Sequence, residues 1–286
     1  MKKMSKMSAA QKINATLMRA TGLQIVRVRH TTTGQEVHTS ERQLRAPVFV
    51  LSSIRSGSTL LRVILGSHSH LYAPHELHLG NISVKLKNWF SKNAMAELGF
   101  DETELTDMLW DRMLAEALFK SGKQTLVEKT PAHVFMHRRL ARVWPDARFI
   151  FLLRHPGSIY QSWHAAHPER DPAENVAEIL KYVTKLQEAR NDLAGIDVRY
   201  EDLASDSEHE TRRICQYLGI PWEASMLDYG EQGHTEFRRG LGDWSGKIRS
   251  GRPQPPRPAP GPDEVPEDLH EICRAWGYFS QQPVTH

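Results

Sequence analysis

The sequence predicts an α/β protein, a three-layer fold with a central parallel sheet of about five strands flanked by helices. Three observations carry that expectation. Short apolar runs alternate with helical patterns along most of the chain. The first run, Val48 to Leu51, passes through a small polar loop into a new apolar stretch, the strand–loop–helix order of a crossover unit. At 286 residues with 40% hydrophobic content, the chain can bury one large α/β core.

Residues 1–46 form a basic N-terminal arm, with seven Lys/Arg and no acidic residue before Glu36. Ile13, Leu17 and Met18 stand at helical spacing, so an amphipathic arm lying on a membrane or partner and a frayed basic leader are both open readings. The domain proper runs from 47 to 286. Its strands are expected at Val48 to Leu51, Thr125 to Val127, Arg148 to Leu153 and Ile196 to Tyr200. Between the first two, "DETELTDMLWDRMLAEALFKSG" reads as a helix capped by Asp101 or Thr103 and stopped at Gly122, with a core stripe of Leu105, Met108, Leu109 and Met113. Arg252 to Pro266 holds seven prolines in fifteen residues and must be an extended tether. The final helix places Leu269, Ile272, Cys273 and Trp276 on one face, which is expected to dock on the core.

A formal charge of +3 is far short of what a nucleic-acid binder carries, yet it suits an anionic ligand. Two cysteines, Cys215 and Cys273, are no disulfide framework, so a reducing, cytoplasmic setting is expected. No apolar run is long enough to cross a bilayer, and Arg19 and Arg27 break any signal-peptide core. The fifteen histidines are scattered without metal-ligand spacing, so no metal is expected.

The loop after the first run carries the chemistry. A strand turning sharply through Gly57 into a helix near Ser58 presents free backbone N–H groups and a positive dipole end to an oxyanion. Arg55 and the hydroxyls of Ser56, Ser58 and Thr59 add donors. A triphosphate-binding P-loop needs lysine after the second glycine, and Ser58 stands there instead.

"SSIRSGSTLLRVIL" resembles the 5′-phosphosulfate loop of sulfotransferases that use 3′-phosphoadenosine 5′-phosphosulfate (PAPS), in the branch with R-S-G-[ST]-T. "FIFLLRHPGSIYQSW" is similar to the family's 3′-phosphate motif, with Arg154 at the strand end and Ser162 eight residues later. "FRRGLGDWSGKI" looks like the C-terminal segment that closes over the nucleotide, through Arg238, Arg239 and Gly240. Tyr200 resembles a tyrosine near the adenine. The similarity runs from about Pro47 to Phe279 and is dense only in these patches. It implies a P-loop-like fold, PAPS as co-substrate with adenosine 3′,5′-bisphosphate as product, and transfer of a sulfuryl group to a hydroxyl. A PAPS site needs two anion clamps, and the sequence offers two.

The branch typified by tyrosylprotein sulfotransferases and bacterial polyketide-associated domains uses a glutamate as base. Glu76, twenty-one residues after Arg55, falls at that place. His75 and His78 are rivals, since an imidazole needs less pKa adjustment near neutral pH. Lys129 in "LVEKTP" resembles the lysine at the bridging oxygen, and Arg55 joins it in catalysis. The chain departs from the branch at Ile54, where proline or lysine is common, and at Ser69, where a His-Pro pair is common; neither change removes a donor. The acceptor pocket is expected from Leu71 to Lys92 and the helices to Lys120. The acceptor classes are a small molecule, a lipid, a carrier-bound hydroxyacyl chain or a tyrosine, with a bacterial small-molecule or carrier-bound acceptor favoured. A P-loop-like nucleotide kinase and a catalytically inactive nucleotide-binding module are the alternatives.

Overall fold

A computed structural model of the protein describes residues 42–230 and 250–279. Most of the basic arm and the Arg238, Arg239, Gly240 segment lie outside the described residues. The sheet contains β1 (Val48–Ser52), β2 (Leu71–Tyr72), β3 (Thr125–Glu128), β4 (Arg148–Leu153) and β5 (Gly195–Arg199), all parallel, in the spatial order β2-β3-β1-β4-β5. This is the predicted five-stranded parallel α/β sheet. β1 is central, with Phe49 in register with Glu128 on one side and Phe149 on the other. β2 was not expected, because two residues leave no hydrophobic pattern to read.

Among the described residues the helices are α1 (Ser58–Gly66), α2 (Trp89–Glu97), α3 (Glu102–Ser121), α4 (His137–Val143), α5 (Pro156–His164), α6 (Pro172–Asp192), α7 (Tyr200–Ser205), α8 (Ser207–Leu218) and α9 (His270–Ala275). Strand side chains alternate between faces. Phe49, Leu51, Phe149, Phe151 and Leu153 pack with Trp110, Leu114, Leu140, Ile159, Ile179, Val183 and Cys273, from α3, α4, α5, α6 and α9. Val48, Val50, Ile150, Leu152 and Val198 pack with Leu61, Ile64, Leu203, Ile214 and Leu218, from α1, α7 and α8. Covering on both faces explains why these strands read as apolar runs rather than alternations.

The ends of α3 are as predicted. Asp101 accepts from the Thr103 and Glu104 amides at 2.7 and 2.8 Å, Glu104 accepts from the Asp101 amide at 2.9 Å, and Gly122 closes the helix at φ 68°. Its buried face corrects the sequence reading. Thr106, Asp107, Trp110, Asp111 and Leu114 are inside, whereas Met108 and Leu109 are exposed. Asp111 accepts from the Gln43 and Leu44 amides and Trp144 Nε1 at 2.8, 3.2 and 2.9 Å. Asp107 accepts from Arg139 and Arg142 at 2.8 and 3.1 Å. Fully partnered carboxylates can be buried, and a hydrophobic periodicity counts them as solvent-facing.

Of the expected tether, residues 253–261 carry no helix or strand, whereas Pro262–Glu264 form a 3-10 turn, which corrects the fully extended reading. After them Leu269, Ile272, Cys273 and Trp276 are buried, and Trp276 Nε1 donates to Gln187 of α6 at 2.8 Å. At Ser69, where the resemblance leads one to expect proline, the amide donates to Glu223 at 2.8 Å, a bond proline has no hydrogen to make. Because every strand runs the same way, the carboxyl ends share one edge, where α/β sheets bind ligands. The connections leaving all five strands carry the candidate residues to that edge.

Candidate active site

Between β1 and α1 the chain turns through Ser53 to Gly57, with Arg55 at φ 57° and Gly57 at φ 83°. Both angles are left-handed, which is rare for an arginine and marks a conformation held by its surroundings. A Cβ on Gly57 would lie 2.3 Å from Tyr200 Cδ2, so glycine is what admits the tyrosine ring. Helix α1 starts without a side-chain cap and without an acidic residue in its first turn. Its positive dipole end is therefore not offset by a carboxylate of that turn. Ser58 and Thr59 sit in that turn. The hydroxyls of Ser52, Ser53 and Ser56 are buried with no hydrogen-bond partner. Each such group costs about 1–3 kcal/mol, and their clustering from the end of β1 into the turn that follows points to a ligand that satisfies them.

Arg154 enters from the end of β4. Its Nη1 donates to the Arg55 carbonyl at 2.6 Å, its guanidinium lies 4.6 Å from the centre of the Tyr200 ring, and its Nε is buried without a partner. Arg55 Nε donates to Ser162 Oγ of α5 at 3.1 Å. The residues assigned to two clamps thus form one linked cluster, with Tyr200 between Gly57 and Arg154. Burial lowers the pKa of both arginines; at Arg154 the charge of Arg55 lowers it further, while Tyr200 and Glu201 oppose the shift. Two guanidiniums so close are relieved by an anion between them. Glu201 braces the cluster from behind, accepting from the His155 amide at 3.0 Å and the Tyr278 hydroxyl at 2.8 Å.

At the end of β3, Lys129 is fully buried and its Nζ donates to Glu76 Oε1. Glu76 Oε2 lies 3.5 Å from His78 Nε2, and His78 is half exposed. Of the ionisable residues from His75 to His78, Glu76 is the one bound to Lys129.

A second, fully buried carboxylate supports this pair. Glu128 accepts from the Leu77 amide at 3.2 Å and Thr130 Oγ1 at 2.6 Å, and lies 2.5 Å from His133 Nδ1. Thr130 Oγ1 in turn accepts from the His78 amide at 3.3 Å. Burial works to raise the Glu128 carboxyl, but His133, Thr130 and Leu77 together hold it below its ordinary value. Glu128, Thr130 and His133 were not read from the sequence, although the first two flank Lys129 in "LVEKTP". The signal was a charged residue in an apolar strand.

Beside this group stands an aromatic wall that also left no motif. Phe135, in the turn Pro131–Met136, meets Tyr182 of α6 edge-on at 4.8 Å between ring centres. Burial raises the Tyr182 hydroxyl pKa, and the charges of Glu178 and Glu76 add to it, so the ring lies in the field of Glu76. Among the described residues no group of His, Cys, Asp and Glu is placed to hold a metal, and no helix is long and apolar enough to cross a membrane. Cys215 and Cys273 are free and buried.

The chain is 28% identical over 226 residues to nodulation protein NoeE of Sinorhizobium fredii, covering 67% of this chain and 54% of that protein. It is 25% identical over 201 residues to protein-tyrosine sulfotransferase 1 of Danio rerio, covering 64% and 56%. The chain spans about half the length of these curated relatives. Among solved structures, the sulfotransferase domain from the curacin biosynthetic pathway superposes with a TM-score of 0.57 at 21% identity, covering 82% of this chain and 99% of that one. The sulfotransferase domain from the Synechococcus PCC 7002 olefin synthase gives 0.54 at 19% identity, covering 85% and 98%. These two share its fold. A sequence model of the Sulfotransferase family matches residues 47–224, well over half of the chain, and spans Arg55, Glu76, Lys129, Arg154, Ser162 and Tyr200: the chain belongs to the Sulfotransferase family.

Proposed function

We propose that this protein transfers a sulfuryl group from PAPS to the hydroxyl of a small molecule, a lipid or a carrier-bound hydroxyacyl chain. The observation that carries the reading is the convergence of Arg55, Arg154 and three buried, unpartnered serine hydroxyls at the uncapped start of α1. A donor with a phosphosulfate at one end and a 3′-phosphate at the other matches that surplus of donors. The loop Ser53 to Thr59 holds the phosphosulfate, Arg154 and Ser162 hold the 3′-phosphate, and Tyr200 lies by the adenine. By the resemblance, Arg238, Arg239 and Gly240, outside the described residues, add nucleotide contacts.

Glu76 takes the proton of the acceptor hydroxyl as its oxygen bonds to sulfur. The bond from sulfur to the bridging oxygen breaks, and adenosine 3′,5′-bisphosphate leaves. Lys129 and Arg55 supply positive charge to the oxygen that becomes negative. Placement does much of the work, as in phosphoryl transfer, and Glu128 contributes by fixing the backbone that follows Glu76. Phe135 and Tyr182 form a wall of the acceptor pocket.

Calorimetry with three nucleotides tests the donor assignment. Adenosine 3′,5′-bisphosphate is expected to bind more tightly than adenosine 5′-phosphate, and ATP with magnesium is expected not to displace it. Tighter binding of ATP with magnesium would favour a nucleotide kinase, although no lysine follows Gly57.

A further inference from the structure

The segment around α2 belongs neither to the core nor to the arginine cluster. Helix α2 buries no residue and is closed by its own capping box, with Asn88 accepting from the Ser91 amide at 2.9 Å. Trp89, Phe90 and Leu98 are 58%, 76% and 65% exposed, and the two rings pack edge-on at 5.2 Å. Exposing an isolated apolar residue is ordinary, whereas aromatic and aliphatic side chains gathered on one short element mark an interaction site. From Lys85 to the end of α2 there are three lysines, Lys85, Lys87 and Lys92, and one acidic residue, Glu97. Lys85 also reaches Glu102 at 3.1 Å but stays largely exposed.

From this we infer that the N-terminal part of α2 docks on an anionic lipid surface, with Trp89 and Phe90 entering the boundary between headgroups and acyl chains and Lys87 and Lys92 on the phosphates. The charge selects the occupant. Lys87 and Lys92 flank Trp89 and Phe90 and form no salt bridge among the described residues, and long lysine stems cover apolar surface while their ammonium groups remain among anions; the nearby carboxylates are Glu97 at the far end of α2 and Glu102, which pairs with Lys85. The inference concerns where the protein sits and holds whichever hydroxyl is sulfated.

The test is sedimentation of the full chain with vesicles of phosphatidylcholine alone or mixed with phosphatidylglycerol. Binding to the mixed vesicles and little to the neutral ones is expected. Trp89→Ser with Phe90→Ser should weaken it by more than about 10-fold, and Lys87→Glu with Lys92→Glu by roughly 30-fold. Thermal melting of each variant checks that it remains folded. Absence of vesicle binding overturns the inference. So does binding that both variants retain, which would move it to other residues such as the basic arm. Loss of a dimer in Trp89→Ser/Phe90→Ser without vesicle binding would assign the face to a second copy. Binding of an acidic carrier protein without vesicle binding would assign it to that partner. Each of those outcomes overturns it as well.

Discussion

Arg154 donates through Nη1 to the backbone carbonyl of Arg55 at 2.6 Å, joining the connection after β4 to the loop after β1. Removing this side chain therefore does two things: it deletes a charged donor and loosens the neighbouring loop. Arg154→Ala should weaken adenosine 3′,5′-bisphosphate binding by about 1.5–3 kcal/mol, the range for a hydrogen bond to a charged group. It should also largely erase the preference over adenosine 5′-phosphate, with Ser162→Ala acting in the same direction more mildly. A ratio of the two dissociation constants that is unchanged in Arg154→Ala would sink this role.

Gly57 faces two separate demands, its φ of 83° and the Tyr200 ring 2.3 Å from where a Cβ would be. The left-handed backbone alone costs an L-residue about 1–2 kcal/mol, so Gly57→Ala should lose at least that much stability in chemical denaturation. Tyr200→Ala in the same chain removes the clash and leaves the backbone cost. The double variant should therefore recover part of the loss relative to the sum of the single ones. Strict additivity would contradict the contact.

Glu128 makes acid stability diagnostic. Its carboxyl is held below its ordinary value in the folded chain, so its ionised form stabilises the fold above the unfolded pKa of about 4.3. That contribution is lost as pH falls through the lower, folded-state value. Glu128→Gln should destabilise the protein by about 3 kcal/mol at neutral pH, as expected when a buried pair loses one partner, and flatten the acid limb of Tm against pH. An acid limb identical in both proteins would refute the assignment.

Phe135 is 47% exposed beside Tyr182, an apolar surface the core does not use. Replacing it by alanine should raise KM for an apolar acceptor by about 10-fold, the worth of losing part of an aromatic contact, with a smaller change in kcat. Steady-state kinetics with the acceptor varied at saturating PAPS separates the two. An unchanged KM would remove Phe135 from the pocket.

The sheet was legible because its strands are covered on both faces and stand out as apolar runs. The β1 loop and Arg154 were legible for another reason: a turn into a helix and an arginine at a strand end each leave a local signature. Lys129 and Glu76 touch across fifty-three residues of chain, a proximity that no periodicity encodes and that only the resemblance suggested. The buried face of α3 was misread because Asp107 and Asp111 are inside with full sets of partners, and burial of that kind depends on arginines and amides far away in sequence. Glu128 and His133 escaped for the same reason, and Phe135 and Tyr182 because each is an ordinary aromatic until the fold sets them together. Arg238, Arg239 and Gly240 lie outside the described residues.

The role proposed for Glu76, paired with Lys129, is that of the base in a PAPS-dependent transfer. The most direct measurement follows labelled sulfur from PAPS into a panel of hydroxyl acceptors by wild type, Glu76→Gln and His78→Ala, with nucleotide affinity measured in parallel. Wild type should label an acceptor, and Glu76→Gln should lower kcat by about 10² to 10⁴ with nucleotide affinity nearly intact, since a base acts in the transition state. His78→Ala should cost much less. Near-normal turnover in Glu76→Gln with an inactive His78→Ala would transfer the role to the histidine, and nucleotide binding without transfer to any acceptor by wild type would contradict catalysis itself.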